Sequence, residues 1–522
     1  MKTHYLNLKE HLTHHAQFAA RFTTLLAILL ALLFTLSACS TGDSDNGTGS
    51  NTSEAEIFES KLSSLPNVLS VEKLNIESTF KGSLYKVYFS SLLDPSDPTK
   101  GTFKQKAFIG FAGFDKPNCL TTAGYMLSDP FLMRQNSENE CAFILNGNLV
   151  AVEHRYFGES VRTDKKRSDG NYDGTYWEYL STKNASEDLH AIVTSLKPIL
   201  KGKWVAQGAS KGGLTANIFC YHHPEDVDLT MPYVAPLCNE KHDSRFFDFI
   251  FNTIGDNDDR YKNDAADYRQ LFKDVQIWLL ERRDAIYENG VTYKQKIFNE
   301  SDPAGGTSYY NKDYLTPDIH YDICVSDFPV GNWMYGNDKN FDLIKKYYEL
   351  PDDNSNLGEG TPTKKEYFCS IFINTTPPDM DISPYYIQAY TELGNYKPGL
   401  SQLRQTVNEA KAAGKDVELF VEESKQDTIY EDCLCSDAER ALFENYNDSL
   451  YQNLSEWINT TDEKIIMLYG NSDPWYSVRI NDVQRDNVHI FVHPANNHYT
   501  SIDNFPEPQK SEIIDLIRKY MM

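Results

Sequence analysis

The thirteen residues Trp204-Val-Ala-Gln-Gly-Ala-Ser-Lys-Gly-Gly-Leu-Thr-Ala216 decide how the rest of the 522-residue chain reads. Trp204, Val205 and Ala206 form a short apolar run with the character of a buried strand. It stops at Gly208-Ala209-Ser210-Lys211-Gly212, a Gly-x-Ser-x-Gly pentad, and Leu214, Ala216, Ile218 and Phe219 then open a helical period. A strand, a tight turn and a helix are the context in which a serine becomes a nucleophile. A side chain two positions to either side of Ser210 would strike the neighbouring strand or helix, so both positions are glycine. The turn lifts the Ser210 hydroxyl clear of the sheet. It also aims the backbone N–H of Lys211, at the helix start, toward a developing oxyanion, while the Lys211 side chain reads as solvated.

Working outward, the chain supplies further strands. Val71–Ile76 and Tyr85–Phe89 alternate with period two, as antiparallel edge strands do. Ala107–Phe111 is continuously apolar, as buried strands are, and ends in Ala112-Gly113-Phe114. That turn is where a second oxyanion donor is expected, at Gly113. Leu149–Val152 is another strand, followed by Glu153-His154-Arg155-Tyr156-Phe157-Gly158-Glu159-Ser160, and residues 185–200 carry an amphipathic helical pattern. After the elbow come Leu229–Ala235 and, much later, Lys464–Gly470 and Val488–Val492. This alternation predicts a doubly wound α/β sheet of the α/β-hydrolase type.

Acyl transfer by serine needs a base to take the hydroxyl proton and a carboxylate to orient that base. In this fold the chain order is serine, acid, histidine, each just beyond a strand. Ser210, Asp473 in Gly470-Asn-Ser-Asp-Pro-Trp475 and His498 in Asn496-Asn-His498 satisfy order and context together. His222 and His223 fall on the helix after the elbow and read as structural.

Between residues 239 and 457 the chain is acidic, aromatic and mainly helical in pattern, for example over Tyr268–Tyr287 and Leu400–Ala413, and Asp352–Thr363 reads as a polar loop. Because hydrolase-like strands resume afterwards, this block reads as a cap inserted between two halves of the hydrolase, 57–238 and 458–522. Residues 1–38 have a signal peptide's architecture, a weakly basic start and the apolar run Leu25–Phe34. Leu36-Ser-Ala-Cys39 resembles a lipobox, which marks Cys39 for lipidation and residues 39–56 as a polar tether, with an ordinary signal cut near Ala38 as the alternative. Either reading predicts export, and the lipidated form an exported, membrane-anchored bacterial lipoprotein. The eight cysteines beyond Cys39 permit up to four disulfides in an oxidising compartment. None has zinc-finger spacing, so no metal and no cofactor are expected. A formal charge of −25 without a basic stripe argues against a nucleic-acid partner.

Glu-His-Arg-Tyr-Phe-Gly-Glu-Ser at 153–160, Gly-Ala-Ser-Lys-Gly-Gly at 208–213, Gly-Asn-Ser-Asp-Pro-Trp at 470–475 and Asn-His at 497–498 resemble the bacterial prolyl tripeptidyl aminopeptidases. The lysosomal prolyl carboxypeptidase and dipeptidyl peptidase II group is similar at a greater distance. The resemblance runs from about residue 60 to the end, loosely over 240–370, and Gln388-Ala-Tyr-Thr-Glu-Leu-Gly394 also resembles the tripeptidyl branch. It implies a serine exopeptidase that takes oligopeptides and releases short peptides, tripeptides in that branch, from free N-termini, often after proline. Glu392 is then expected to pair with the substrate ammonium. Trp475, Glu153 and Arg155 are expected at the substrate site, the last two in a buried ion-paired turn at the cleft floor. Two other readings stand beside this one: an esterase or lipase on the same fold, and a non-catalytic surface lipoprotein that binds peptide or glycan.

Overall fold

The computed structural model describes residues 53–522 except 133, 164, 166–173, 290–313, 353–360, 374–382 and 482. The signal segment, Cys39 and most of the tether therefore lie outside the described residues, as does most of the Asp352–Thr363 loop. Residues 53–522 form one compact unit. Its start corrects the tether boundary. Ser53 caps a helix over Glu54–Ser63 through a reciprocal capping box with Glu56, and that helix buries Phe58 and Leu62.

Among the described residues there are eleven strands: β1 (Val68–Leu74), β2 (Ser83–Leu92), β3 (Thr102–Phe111), β4 (Asn118–Thr122), β5 (Asn148–Val152), β6 (Trp204–Ala209), β7 (Leu229–Tyr233), β8 (His242–Asp243), β9 (Asn395–Tyr396), β10 (Ile465–Gly470) and β11 (Val488–His493). Nine make one twisted sheet in the order β1-β2-β3-β5-β4-β6-β7-β10-β11. β1, β2 and β3 pair antiparallel, β3 also runs antiparallel to β5, and from β5 onward every pairing is parallel. The doubly wound α/β-hydrolase sheet is thus present. Both faces are covered, which is why β4, β5, β6, β7 and β10 are buried almost throughout.

On one face, helix α2 (Thr182–Leu196) and helix α3 (Lys211–His222), in the numbering α1 (Glu140–Ile144) to α4 (Gln509–Met521), press Leu189, Ile192, Val193, Ala216 and Phe219 onto Leu120, Val150 and Ala206. On the other, α4 lays Ile513, Ile517 and Met521 over Met231, Ile466 and Leu468. The i, i+4 spacing of these α4 residues is the reason it packs as one stripe.

Strand β4 is the element that sequence reading misses. Asn118-Cys-Leu-Thr-Thr122 is polar for an inner strand, yet Thr121 and Thr122 hydroxyls donate to the carbonyls of Glu138, Gln207 and Gly212 and so are satisfied where they are buried.

Between β7 and β10 the described residues are largely helical. The helices Arg245–Asn252, Ala265–Glu281, Pro317–Tyr335, Asp338–Glu349 and Leu400–Ala412 share an aromatic core that includes Phe246, Phe272, Trp278, Trp333 and Phe341. The parallel pair β8–β9 ties residue 242 to residue 395, so this long insertion is anchored near its root. Among the described residues no helix is long and apolar enough to cross a membrane.

Candidate active site

Ser210 sits between β6 and α3 with φ 56° and ψ −126°, a strained conformation for a residue with a side chain. Its N–H donates to Tyr233 O at 2.8 Å, which fixes the turn against β7. A Cβ on Gly208 would lie 2.5 Å from Gly212 O, and one on Gly212 would lie 2.6 Å from Thr122 O. The glycines are therefore required by close backbone approach rather than by flexibility.

Asp473 and His498 follow β10 and β11. His498 Nδ1 and Asp473 Oδ2 are 2.7 Å apart with the carboxylate almost fully buried, while Asp473 Oδ1 accepts the Trp475 N–H at 3.0 Å. An imidazole held this way donates Nδ1–H to the carboxylate and presents Nε2 as the base. The histidine loop is clasped by the insertion: His498 N–H donates to Met334 O at 3.3 Å and Asn497 Nδ2 to Gly336 O at 2.7 Å. Tyr335 stands edge-on to the His498 ring, centroids 6.0 Å apart.

Ser210 and His498 line one cavity of about 410 Å³. Its walls are chiefly aromatic and apolar, with Tyr125, Tyr385, Tyr396 and Trp475 prominent, and no carboxylate is among its described lining residues. Trp475 packs against Phe246 and Tyr396 at 4.8 and 5.5 Å, so its place in the wall is fixed by two rings of the insertion.

Gly113 is a correction. It follows β3, which runs antiparallel to the strands that carry the site, so it lies at the opposite end of the sheet. Its N–H is taken by Asn148 Oδ1 at 3.1 Å. The loop after β4, Ala123-Gly124-Tyr125, occupies the position beside the elbow instead. A Cβ on Gly124 would come within 2.6 Å of Gly212 N and 3.0 Å of Lys211 Cβ. Sequence reading assigns the wrong loop because missing β4 shifts the strand count by one.

Lys211 also differs from expectation. Its N–H lies at the helix start, but its side chain, expected in solvent, is buried. Nζ donates to Gly124 O at 2.8 Å and lies 5.2 Å from the Phe157 ring centroid and 5.7 Å from that of Tyr125. Burial pushes this ammonium down to about 7. Glu392 is its electrostatic neighbour, and burial pushes that carboxyl up to about 7.

Glu392 is not placed to meet a substrate ammonium. Its carboxylate accepts the Thr182 N–H at 2.7 Å and the Thr182 hydroxyl at 3.0 Å at the start of α2, and it does not line the cleft, although Leu393 and Gly394 do. Glu153 and Arg155 are likewise committed. Glu153 accepts from Leu127 N, Glu159 N and Ser160 Oγ and pairs with Lys106 at 2.9 Å. Arg155 forks onto Asp188 with two 2.7 Å bonds and reaches the Leu92, Leu93 and Tyr179 carbonyls. Both hold the turn together and have no capacity left for a ligand. Between them His154, held well below the usual histidine range by burial and the nearby Lys211 charge, donates Nδ1–H to Arg155 O as a neutral ring. All eight cysteines beyond Cys39 are buried free thiols rather than disulfides.

Sheet, elbow and acid–histidine pair define a hydrolase of the α/β class. Residues 54–400 match the model of the PS-10 peptidase S37 family, and the chain belongs to that family. It is 26% identical over 453 residues to the prolyl tri/tetrapeptidyl aminopeptidase of Streptomyces mobaraensis, covering 82% of this chain and 78% of that protein. Solved structures similar to it include an α/β fold family hydrolase from Bacillus anthracis (12% identity, TM-score 0.30) and the proline iminopeptidase of Mycobacterium smegmatis (10%, 0.30), each covering 80% of this chain and 95% of the other. The chain is a serine peptidase.

Proposed function

We propose that the protein is an exopeptidase that releases short peptides, tripeptides foremost, from the free N-terminus of oligopeptides, frequently after proline. In this reading Ser210 attacks the scissile carbonyl, His498 Nε2 takes the hydroxyl proton and returns it to the leaving amine, and Asp473 orients the imidazole and stabilises it when charged. The Lys211 N–H is one oxyanion donor, and the Gly124–Tyr125 loop supplies the second through the Tyr125 N–H. The observation that carries the proposal is the 2.7 Å His498–Asp473 pair, on the wall of the aromatic cleft into which the Ser210 elbow opens. That cleft suits a proline ring, whose flat apolar faces pack on Trp475, Tyr396 and Tyr385. Access under a clasping insertion favours short, unfolded peptides over folded proteins.

The name of the Streptomyces relative supports the product length, and the Leu-Ser-Ala-Cys39 pattern supports export with a lipid anchor. The test is mass spectrometry of products from matched free and N-acetylated peptides, with Ser210→Ala as control. Tripeptides released by wild type from free N-termini alone are the expected result. Internal cleavage, or equal turnover of acetylated peptides, overturns the exopeptidase reading.

A further inference from the structure

An enzyme that requires a free N-terminus needs a countercharge for the substrate ammonium, because a charge taken out of water unpaired is costly. The helix Pro317–Tyr335 carries a candidate. Its Val330, Met334 and Tyr335 line the cleft, and Met334 O accepts the His498 N–H at 3.3 Å. Val330 and Met334 are four residues apart and share one face, and three residues before Val330 that face carries Asp327. Asp327 Oδ1 accepts the Tyr430 hydroxyl at 2.6 Å. The Tyr430 ring stands edge-on to Tyr396, centroids 5.7 Å apart, and Tyr396 is itself part of the cleft wall. Among the described residues the Asp327 carboxylate makes no other hydrogen bond and pairs with no lysine or arginine. Asp327 is half-buried, yet desolvation pushes its carboxyl up to about 7. A group that touches water and is still strongly desolvated sits in a recess rather than on the outer surface.

We propose that Asp327 receives the N-terminal ammonium of the substrate and that its distance from the catalytic pair sets the product length at three residues, an inference that rests on the exopeptidase reading above. Asp327 and Met334, whose carbonyl holds the His498 loop, are two turns apart on one helix. At about 1.5 Å of rise per residue, the seven steps between them span roughly 10 Å. An extended peptide advances about 3.3–3.6 Å per residue, so three residues between the ammonium and the scissile carbonyl also span about 10 Å. Two residues reach only about 7 Å and leave the ammonium short of the carboxylate. Tyr430 fixes the carboxylate through Oδ1, which leaves Oδ2 to accept from the ammonium. Tyr386 and Tyr396 in the cleft wall offer ring faces past which a cation can travel to it. This assignment replaces Glu392, whose carboxylate is spent on Thr182.

The experiment compares Ala-Ala-Pro and Ala-Pro aminomethylcoumarin amides, each with a free and with an acetylated N-terminus. Rates are taken per serine titrated by a fluorophosphonate, so that only folded enzyme is counted. Asp327→Asn keeps the size of the side chain and still accepts the Tyr430 hydroxyl. It is expected to lower kcat/KM for the free tripeptide substrate at least about thirtyfold, the effect of removing one partner of a buried charge pair, chiefly through KM. Turnover of the acetylated substrate is expected to stay the same, which a merely structural role would not allow. Asp327→Glu retains the charge and is expected to keep most of the preference for a free amine. Wild type needs no variant to test the span: the tripeptide substrate is expected to exceed the dipeptide one at least about tenfold in kcat/KM, because the shorter chain cannot reach. Equal wild-type turnover of free and acetylated peptides overturns the exopeptidase reading and this one with it. A wild-type preference for free amines that survives Asp327→Asn, or an equal fall on both kinds of substrate, overturns Asp327 alone. Dipeptide release as fast as tripeptide release overturns the span.

Discussion

Replacing Lys211 by methionine is expected to separate activity from stability. The ammonium is buried beside Gly124, Tyr125 and Phe157, and its pKa is pushed down to about 7 from an ordinary 10.5. Holding the charged form there costs roughly 5 kcal/mol by the free energy of a shift of that size. The folded group binds protons less readily than the unfolded one between the two values. The penalty is thus fully present below pH 7 and fades as pH rises toward 10.5. Methionine removes it. At pH 6 Glu392, itself raised to about 7, is mostly protonated, so the substitution strands no charge. Against this relief stands the bond to Gly124 O at 2.8 Å, whose loss leaves a buried carbonyl unsatisfied at about 1–3 kcal/mol.

The net expectation at pH 6 is unchanged or increased thermal stability. Catalysis moves the other way. Nζ ties the Gly124–Tyr125 loop to the residue that follows the nucleophile, so without it one oxyanion donor drifts. Loss of one donor costs about 10²–10³ in kcat. Steady-state kinetics and a thermal melt at pH 6 and pH 8 make the test. A folded Lys211→Met enzyme with kcat within about threefold of wild type would refute the tether, and so would a parallel fall of stability and activity.

Other expectations follow from the same geometry. Ser210→Ala should lower kcat about a millionfold and Asp473→Asn about ten-thousandfold, with both proteins folded by circular dichroism. Gly124→Ala puts a methyl 2.6 Å from Gly212 N, so peptide turnover should fall at least about a hundredfold, read beside a melt to separate folding from catalysis. Arg155→Met leaves Asp188 buried without its fork and should cost about 3–5 kcal/mol in denaturant unfolding, while active-site titration of the surviving folded fraction stays normal. His320 is buried in the insertion and its pKa is pushed down to about 4 by desolvation. The unfolded chain binds a proton there between pH 6.5 and 4 that the native chain refuses, so stability falls over that window by roughly 3 kcal/mol. His320→Gln should flatten the melting temperature against pH between those limits, and an unchanged slope would remove His320 as the cause.

What was legible in the sequence is local chemistry. The elbow announces itself because a strained serine between strand and helix admits only glycine two residues to either side. The acid and histidine loops stand out because each follows an apolar strand run, and chain order then leaves few choices. Periodicity placed α2 within a few residues, since one of its faces is buried and the other is wet.

What the sequence could not determine is where side chains go once distant segments meet. Asn118–Thr122 carries no strand periodicity, because its threonines are satisfied by carbonyls that only the assembled sheet supplies. Without that strand the oxyanion loop is sought at Gly113, at the far end of the sheet. Lys211 reads as a solvated cation until Tyr125, Phe157 and Gly124 close over it. Glu392 reads as a free carboxylate until Thr182, 210 residues earlier, is found bonded to it. His190 and His223 are unremarkable as letters and become a pair only because α2 and α3 pack side by side. Local sequence fixes which backbone turns are possible, whereas burial and partner choice are set by long-range packing, and these govern the charge and reach of every group around Ser210.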